Sequence, residues 1–391
     1  MNRIFSIVLS VILSILGLNP APYDLQPLPE KEIALTQEQI ELFETIVEGE
    51  TEWLASLQLE NGAIPMTYTA NGTVKMNPYF ADFAALALLD RSDDYAENVI
   101  IYMNWHFSHL NTAEADYNGV DGTIYDYEIT LADGKIVQES VVTVDGHGTY
   151  DSTDSYAATF LTVLAKYYEK TGDSEYIISH KKEIERITNA MFSTLHNGLT
   201  FAKPDHDIKY LMDNCEVYEG AVAATFLFEN VICPTDTSYN ALSEKCKNTV
   251  TDIQKNIESK LWNPVGQHYK TGIIKILGLP ERIFNWNEYY PSATSQLFPI
   301  VCGVIEPNTE RANNLYNKFC ESYDWVNFDY PDAFYWGSNV IAAVKMNDIE
   351  RVVGYMTNYT ELMKTHAYPL YNADAARVSL AANMMLENNN I

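Results

Sequence analysis

The chain has 391 residues and a formal net charge of −28, which arises from 53 acidic and 25 basic residues. Binding to nucleic acid or to an anionic membrane needs a basic surface, so this balance argues against both and favours a neutral substrate. No Pro-, Gly- or Ser-rich linker divides the sequence, and 47% of its residues are hydrophobic. We therefore expect one domain with a large core.

The first residues combine a basic start with a short apolar run. Arg3 precedes the apolar segment Ile4–Leu18, and a small proline-containing segment follows it. This order is typical of a secretory signal peptide, and the alternative is an uncleaved membrane anchor. We predict a leader over residues 1–22, a lead-in over 23–35 and one domain over 36–391, in a secreted or extracellular protein.

Two kinds of helical segment alternate along the rest of the chain. Tyr156–Ala165 is apolar on every side, whereas Ser174–Phe192 has one apolar and one charged face. A helix that is apolar all round is buried, and one with a single apolar stripe lies at the surface. The alternation predicts six helical pairs, with an inner ring of helices inside an outer ring: an all-α (α/α)6 toroid. The predicted helices cover about 36–59, 79–89, 93–110, 151–171, 174–195, 213–228, 239–262, 291 onwards, 309–323, 332–345, 348–364 and 373–386.

One long connection, Asn111–Tyr150, carries a strand pattern. Thr123–Thr130 and Lys135–Val144 alternate in polarity around Asp133 and Gly134. An Asp-Gly pair between two such segments is a strong signal for a tight turn, so the sequence predicts a small β-hairpin insertion.

The five cysteines are an odd number, and none has a spacing typical of zinc ligands. We expect mostly free thiols, no bound metal and no cofactor.

The connections from outer to inner helices are long, aromatic and acidic, whereas the return connections are mostly short. This asymmetry places function at the starts of the inner helices. An Asp at a helix start often only caps the helix. A carboxylate one turn inside a buried helix needs a partner or a role, because its burial is costly. That argument selects Asp82, Asp154 and Glu216.

Aromatic rings beside carboxylates suit sugars, whose C–H faces stack on rings and whose hydroxyl groups need acceptors. Trp286, Tyr290 and Trp336, with Tyr79 and Tyr371, are expected to line a sugar-binding groove. The full predicted substrate-binding set is Tyr79, Asp82, His147, Tyr150, Asp151, Tyr218, Trp286, Tyr290, Asp332, Trp336 and Tyr371.

The segment Tyr150–Asp173 has an acidic start, an apolar helix and a Lys-Thr-Gly-Asp turn. It resembles the six-hairpin glycosidase superfamily, which includes glucoamylase-like and debranching enzymes. Asp151 and Asp154 are also similar to the closely spaced Asp residues of family 8 glycoside hydrolases, although that family has a Glu acid where this chain has Asp82. The resemblance in architecture runs from about Thr36 to the end.

The resemblance implies a glycoside hydrolase. Most hydrolases of this superfamily invert the configuration at the anomeric carbon. One carboxylic acid then protonates the leaving oxygen, and a carboxylate about 6.5–9.5 Å away activates water. We predict Glu216 as the acid and Asp154 as the base or ring-binding residue, because both lie one turn into neighbouring inner helices. Asp213 is the reserve acid, and Glu288 is the reserve base because family 8 enzymes place theirs near this position.

The predicted protein is a monomer that acts on a neutral oligo- or polysaccharide. Two other functions stay open. A toroid that has lost one carboxylate would bind glycan without cleaving it. A polysaccharide lyase would use residues such as Tyr150, His147 and Asn214, but this segment has no Arg.

Overall fold

The computed structural model describes residues 34–275, 278–332 and 334–389. The predicted leader and all but the last two residues of the lead-in lie outside these ranges. Within them, no helix combines the length and the apolar character that crossing a membrane requires.

Thirteen α-helices occupy about half of the described chain. The inner ring comprises α2 (Pro78–Leu88), α4 (Asp154–Thr171), α7 (Leu211–Leu227), α9 (Phe298–Val301), α11 (Ser338–Lys345) and α13 (Asn372–Asn389). The outer ring comprises α1 (Gln37–Ser56), α3 (Ser92–Ser108), α5 (Ser174–Ser179), α6 (Lys181–Met191), α8 (Asn240–Asn256), α10 (Glu310–Ser322) and α12 (Ile349–Met363). Each inner helix packs against the next, and α13 returns to contact α2, so the ring closes. The predicted (α/α)6 toroid is confirmed.

Burial separates the two rings as the hydrophobic pattern predicts. The first eight residues of α4 are all buried, whereas α6 buries one stripe that includes Ile184, Ile187 and Met191. Helices α4 and α7 approach closely at Gly220, where a Cβ atom would lie 2.5 Å from the Cα of Ala158. This close contact brings the starts of two inner helices together.

Local signals set several helix ends. The Thr36 side chain and the Gln39 side chain form a capping box at the start of α1. Asn77 caps α2, whose first residue is a proline, and Gly172 ends α4 with a φ of 69°.

Some boundaries differ from the prediction. Helix α4 begins at Asp154 rather than Asp151, and the fifth predicted helix divides at His180 into α5 and α6. The eighth is only the four-residue α9, preceded by a π-helical turn at Tyr289–Ala293. The tenth begins at Ser338 because the preceding segment is irregular.

Three short strands form the main sheet, and its order is β1-β2-β3. The predicted hairpin is confirmed as β2 (Tyr127–Ala132) and β3 (Lys135–Val141), joined at Asp133 and Gly134. Strand β1 (Gly72–Met76), from the connection between α1 and α2, pairs with β2. The other pairs are β4 (Thr143–Val144) with β5 (His147–Gly148), β6 (Ile208–Tyr210) with β9 (Gly272–Ile274), and β7 (Trp262–Asn263) with β8 (His268–Tyr269). All five cysteines are free thiols, as expected.

Candidate active site

A cavity of about 380 Å³ opens where the inner helices begin. Its size is at the lower end of the roughly 300–1,000 Å³ that is usual for small-molecule sites. The lining includes residues from every inner helix or from the segment that leads into it. The lining residues are Asn77, Tyr79, Phe80, Asp151, Ser152, Ser155, Tyr156, Met212, Asp213, Glu216, Tyr290, Phe298, Phe334, Trp336, Asp374 and Arg377.

A hydrogen-bonded chain of three side chains joins three inner helices in the cavity wall. The Tyr79 hydroxyl donates to Oε1 of Glu216 at 2.5 Å. Arg377 donates from Nη2 to the same hydroxyl at 3.0 Å, and its guanidinium lies 3.8 Å from the ring centre of Phe83. These contacts link α2, α7 and α13, and they hold Glu216 in place.

Two carboxyl groups of α7 have raised pKa values. Burial raises the pKa of Glu216 to about 7, and the hydroxyls of Tyr79 and Ser155 oppose the rise. Burial raises the pKa of Asp213 well above its usual value, and the neighbouring Asp154 and Glu216 carboxyls raise it further. Both effects disfavour the negatively charged form of Asp213 and favour its protonated form.

Asp374 contributes a carboxyl from the other side of the ring. Its Oδ1 accepts from the backbone N–H of Gly337 at 3.3 Å, and its Oδ2 is buried without a hydrogen-bond partner among the described residues. Burial raises its pKa, and the Arg377 charge opposes the rise. In the ring of six inner helices, α13 is the third helix from α7 in either direction. Asp213 and Asp374 therefore approach the cavity from opposite sides.

Several solved structures with a similar fold are glycosidases. A wild-type glycosidase has a TM-score of 0.60 and 9% identity, and the match covers 91% of this chain and 99% of that chain. A GH63 mannosylglycerate hydrolase from Thermus thermophilus has a TM-score of 0.58 and 10% identity, and the match covers 86% of this chain and 99% of that chain. A novel alpha-amylase from Clostridium perfringens has a TM-score of 0.53 and 11% identity, and the match covers 87% of this chain and 97% of that chain.

The chain therefore shares its fold with these solved glycosidases. Sequence comparisons find neither a matching protein-family model nor a matching curated protein. The similarity lies in the fold, and it agrees with the architecture that the resemblance in sequence predicts.

The structure brings six predicted site residues into this toroid's cavity: Tyr79, Asp151, Asp213, Glu216, Tyr290 and Trp336. Asp154 is completely buried and does not line the cavity, although its carboxyl group contributes to the raised pKa of Asp213. Burial raises the pKa of Asp154 to about 8, and its Oδ1 accepts from the backbone N–H of Ser155 at 2.9 Å. Glu288 also lies outside the lining, where it accepts from Ser292 and pairs with Arg282 at 3.3 Å.

Asp82 lies in a separate buried cluster. Its two oxygens accept from the hydroxyls of Tyr102 at 2.7 Å and Thr159 at 2.6 Å, and His106 lies 4.0 Å away. These partners satisfy the carboxyl group without any ligand.

The remaining predicted residues do not line the cavity: His147, Tyr150, Tyr218, Trp286, Asp332 and Tyr371. Tyr150 is buried, and the exposed His147 stacks on Tyr117 with ring centres 5.9 Å apart. Trp286 packs edge-on against Phe284 at 5.2 Å, whereas Tyr371 lies next to the lining residue Phe80 at 6.1 Å.

Sequence reasoning missed Arg377, Asp374 and the pair Asn77 and Tyr156 as site residues. Asn77 donates to the Tyr156 hydroxyl at 2.6 Å, and both contact Asp126. A signal for Arg377 existed, because a charge one turn after Asp374 in an otherwise buried helix needs a partner or a role. In the described part of the chain, no cluster of three or more His, Cys, Asp or Glu residues suits a metal ion.

Proposed function

We propose that the protein is a glycoside hydrolase that cleaves a neutral oligo- or polysaccharide by the inverting mechanism. The observation that carries this proposal is the pair Asp213 and Asp374, which face one cavity from opposite inner helices. Aromatic rings of Tyr79, Tyr290 and Trp336 share that cavity. The fold is also that of solved glycosidases.

In this proposal Asp213 is the general acid. It lines the cavity, and its burial and the neighbouring carboxyls raise its pKa and so favour the protonated form. A protonated carboxyl can give its proton to the glycosidic oxygen as the C–O bond breaks. The sequence favoured Glu216 for this task, but Tyr79 already engages one of its oxygens.

Asp374 is the proposed base. Its buried Oδ2 has no hydrogen-bond partner among the described residues, and in this proposal it accepts a proton from a water molecule that enters the cavity with the substrate. The nearby Arg377 favours its charged form. Inversion requires that water attacks the sugar carbon on the face opposite the leaving group, and for that reason the proposal assigns the two roles to carboxyls from different sides of the cavity.

Glu216 and Asp154 then act through Asp213. Both carboxyls raise its pKa, and Glu216 is held by the Tyr79 hydroxyl and the Arg377 charge. Glu216 lies one turn after Asp213 on the same face of α7, which keeps their distance constant.

A reducing-sugar screen on neutral α- and β-glucans, xylans and mannans, followed by NMR of the first-formed anomer, tests the proposal. We expect one glycan to be cleaved with inversion. Asp213→Asn and Asp374→Asn should each lose at least about 10²-fold in turnover. Retention of configuration, or full activity in both variants, contradicts the mechanism.

A substrate with an activated aryl leaving group separates the two roles. Such a leaving group needs no protonation, so Asp213→Asn should recover most of its rate on that substrate. Asp374→Asn should stay slow, because its defect lies in the activation of water. Recovery in Asp374→Asn alone would exchange the two assignments.

A lyase is the second candidate, because the structure supplies the Arg that the sequence reasoning lacked. Arg377 donates to the Tyr79 hydroxyl inside the cavity. Tyr79 would be a poor base, however, since burial and the Glu216 charge raise its pKa well above the usual value. Absorbance from an unsaturated product would support the lyase, and its absence beside reducing-sugar release supports the hydrolase.

Secretion and a monomeric state remain predictions from the sequence. A neutral substrate also suits the cavity, where Asp151, Asp213, Glu216 and Asp374 face a single Arg377.

A further inference from the structure

Exposed aromatic residues concentrate at the mouth of the cavity. Among the described residues, four aromatic side chains are strongly exposed: Tyr68 at 50%, Tyr290 at 49%, Phe334 at 39% and Tyr368 at 75%. Tyr290 and Phe334 line the cavity itself. Single exposed hydrophobic residues are ordinary, whereas a contiguous group of them marks a binding surface.

The rings at the mouth form a continuous series, which we call the aromatic track: Tyr290, Trp336, Phe334, Tyr371 and Tyr368. The ring centres are 4.8 Å apart for Tyr290 and Trp336, and 6.2 Å apart for Trp336 and Phe334. Phe334 and Tyr371 are separated by 5.8 Å, and Tyr371 and Tyr368 by 6.0 Å. The track therefore runs from inside the cavity to Tyr368, its most exposed member.

We propose that the aromatic track binds the sugar units of the substrate that stay outside the cavity, on the leaving-group side of the bond that is cleaved. This inference rests on the proposed function and makes the substrate a chain of several sugars rather than a small glycoside.

The position of Glu216 supports this arrangement. It lies one turn further along α7 than Asp213, and it is hydrogen-bonded to Tyr79, which in turn accepts from Arg377. A glycan therefore enters from the mouth, and any units beyond the cleaved bond lie across the rim. Three members of the track, Tyr290, Trp336 and Phe334, line the cavity, and the track continues from them onto the rim.

The chemistry of the track suits a neutral glycan. Its members combine apolar ring faces with three phenol hydroxyls, and none carries a charge at neutral pH. Sugar C–H faces stack on such rings while their hydroxyl groups bond to the polar edge, as aromatic side chains with a polar end do at wet interfaces. The rings are tilted by 32° to 83° to their neighbours, so they present separate faces rather than one flat surface.

The test is the dependence of kcat/KM on chain length, with Tyr368→Ala as the variant. Tyr68→Ala is the matched control, because Tyr68 is similarly exposed but lies next to the turn at Gly134. On the shortest cleaved substrate we expect Tyr368→Ala to equal wild type. On longer chains it should lose about 2- to 10-fold, the effect of one aromatic contact. An equal loss at every length, or the same loss in Tyr68→Ala, overturns the proposal.

Binding separates this inference from the proposed function. Calorimetric titration of the same oligosaccharide series should show affinity that rises with length, and Tyr368→Ala should remove the rise. Length-dependent binding without hydrolysis by wild type would overturn the hydrolase and retain the track. Hydrolysis without length-dependent binding would support the hydrolase and overturn the track. A change of oligomeric state in Tyr368→Ala, measured by sedimentation, would assign the exposed rings to a second copy of the chain and overturn the track.

Discussion

Two buried carboxyl groups in the inner ring, Asp82 in α2 and Glu216 in α7, share one sequence signal and have different surroundings. Both lie within the first two turns of a buried helix, and burial raises both pKa values. Asp82 is fully satisfied by Tyr102 and Thr159 and does not line the cavity, whereas Glu216 does. Burial therefore identifies a carboxyl group whose desolvation costs free energy. Whether that group lines the cavity then separates a structural role from a chemical one.

The largest expected effect comes from exchanging each acid for its amide. Asp213→Asn should reduce turnover by at least about 10²-fold and stay folded, because it removes the transferred proton. Asp82→Asn should keep its turnover and lose stability, because the amide has one oxygen for two hydroxyl donors. Turnover on the best glycan and thermal melting of both variants check this contrast. A fall in turnover for a folded Asp82→Asn would break it.

The next effect concerns stability as a function of pH. The pKa of Asp154 is about 8 in the folded protein and about 4 in an unfolded chain, so the folded state binds the extra proton between these values. Stability from this group should therefore fall as pH rises from about 4 to about 8. Asp154→Asn should remove this fall, a difference on the order of 3–4 kcal/mol between pH 5 and pH 8.

Asp252→Asn provides the control for that measurement, because Asp252 is exposed on α8 and loses the same charge. Denaturant melts of the three proteins at pH 5 and pH 8 make the comparison. If Asp252→Asn flattens the pH dependence as much as Asp154→Asn, the effect comes from net charge and not from burial.

A smaller effect should follow when one hydroxyl is removed from each cluster. Tyr79→Phe removes a donor that lowers the pKa of Glu216, so that pKa should rise above about 7. The part of the pH–rate profile that changes near pH 7 should shift to higher pH together with this pKa. Tyr102→Phe makes the equivalent change at Asp82 and should leave the profile of turnover unchanged. Isotope-edited infrared spectra of the Glu carboxyl groups would report the shift directly, and an unchanged Glu216 band would contradict it.

The smallest effect separates two tryptophans that share the same sequence signal. Trp336→Ala should weaken glycan binding by about 0.5–1.5 kcal/mol, because its ring lines the cavity. Trp286→Ala should leave affinity nearly unchanged, since its ring packs against Phe284 outside the lining. Titration calorimetry on both variants measures the difference, and equal losses would place Trp286 in the groove after all.

Local patterns in the sequence predicted most of the architecture. Periodicity of 3.6 residues separates all-round apolar helices from striped ones, and that alone orders the two rings. The Asp133-Gly134 turn predicted the hairpin, and the first helix, predicted from about residue 36, begins at Gln37. These features succeed because each depends on residues within a few positions of one another.

The set of residues that lines the cavity depends on how the ring of inner helices closes. Tyr79 is 137 residues from Glu216 and 298 residues from Arg377, yet it bonds to both. Asp374 faces Asp213 only because α13 returns to pack against α2. Sequence alone determined that carboxyls and aromatic rings would gather at the starts of the inner helices. Only the tertiary structure determined which of them share the cavity, because a contact between distant residues is set by packing around the whole ring and not by any local pattern.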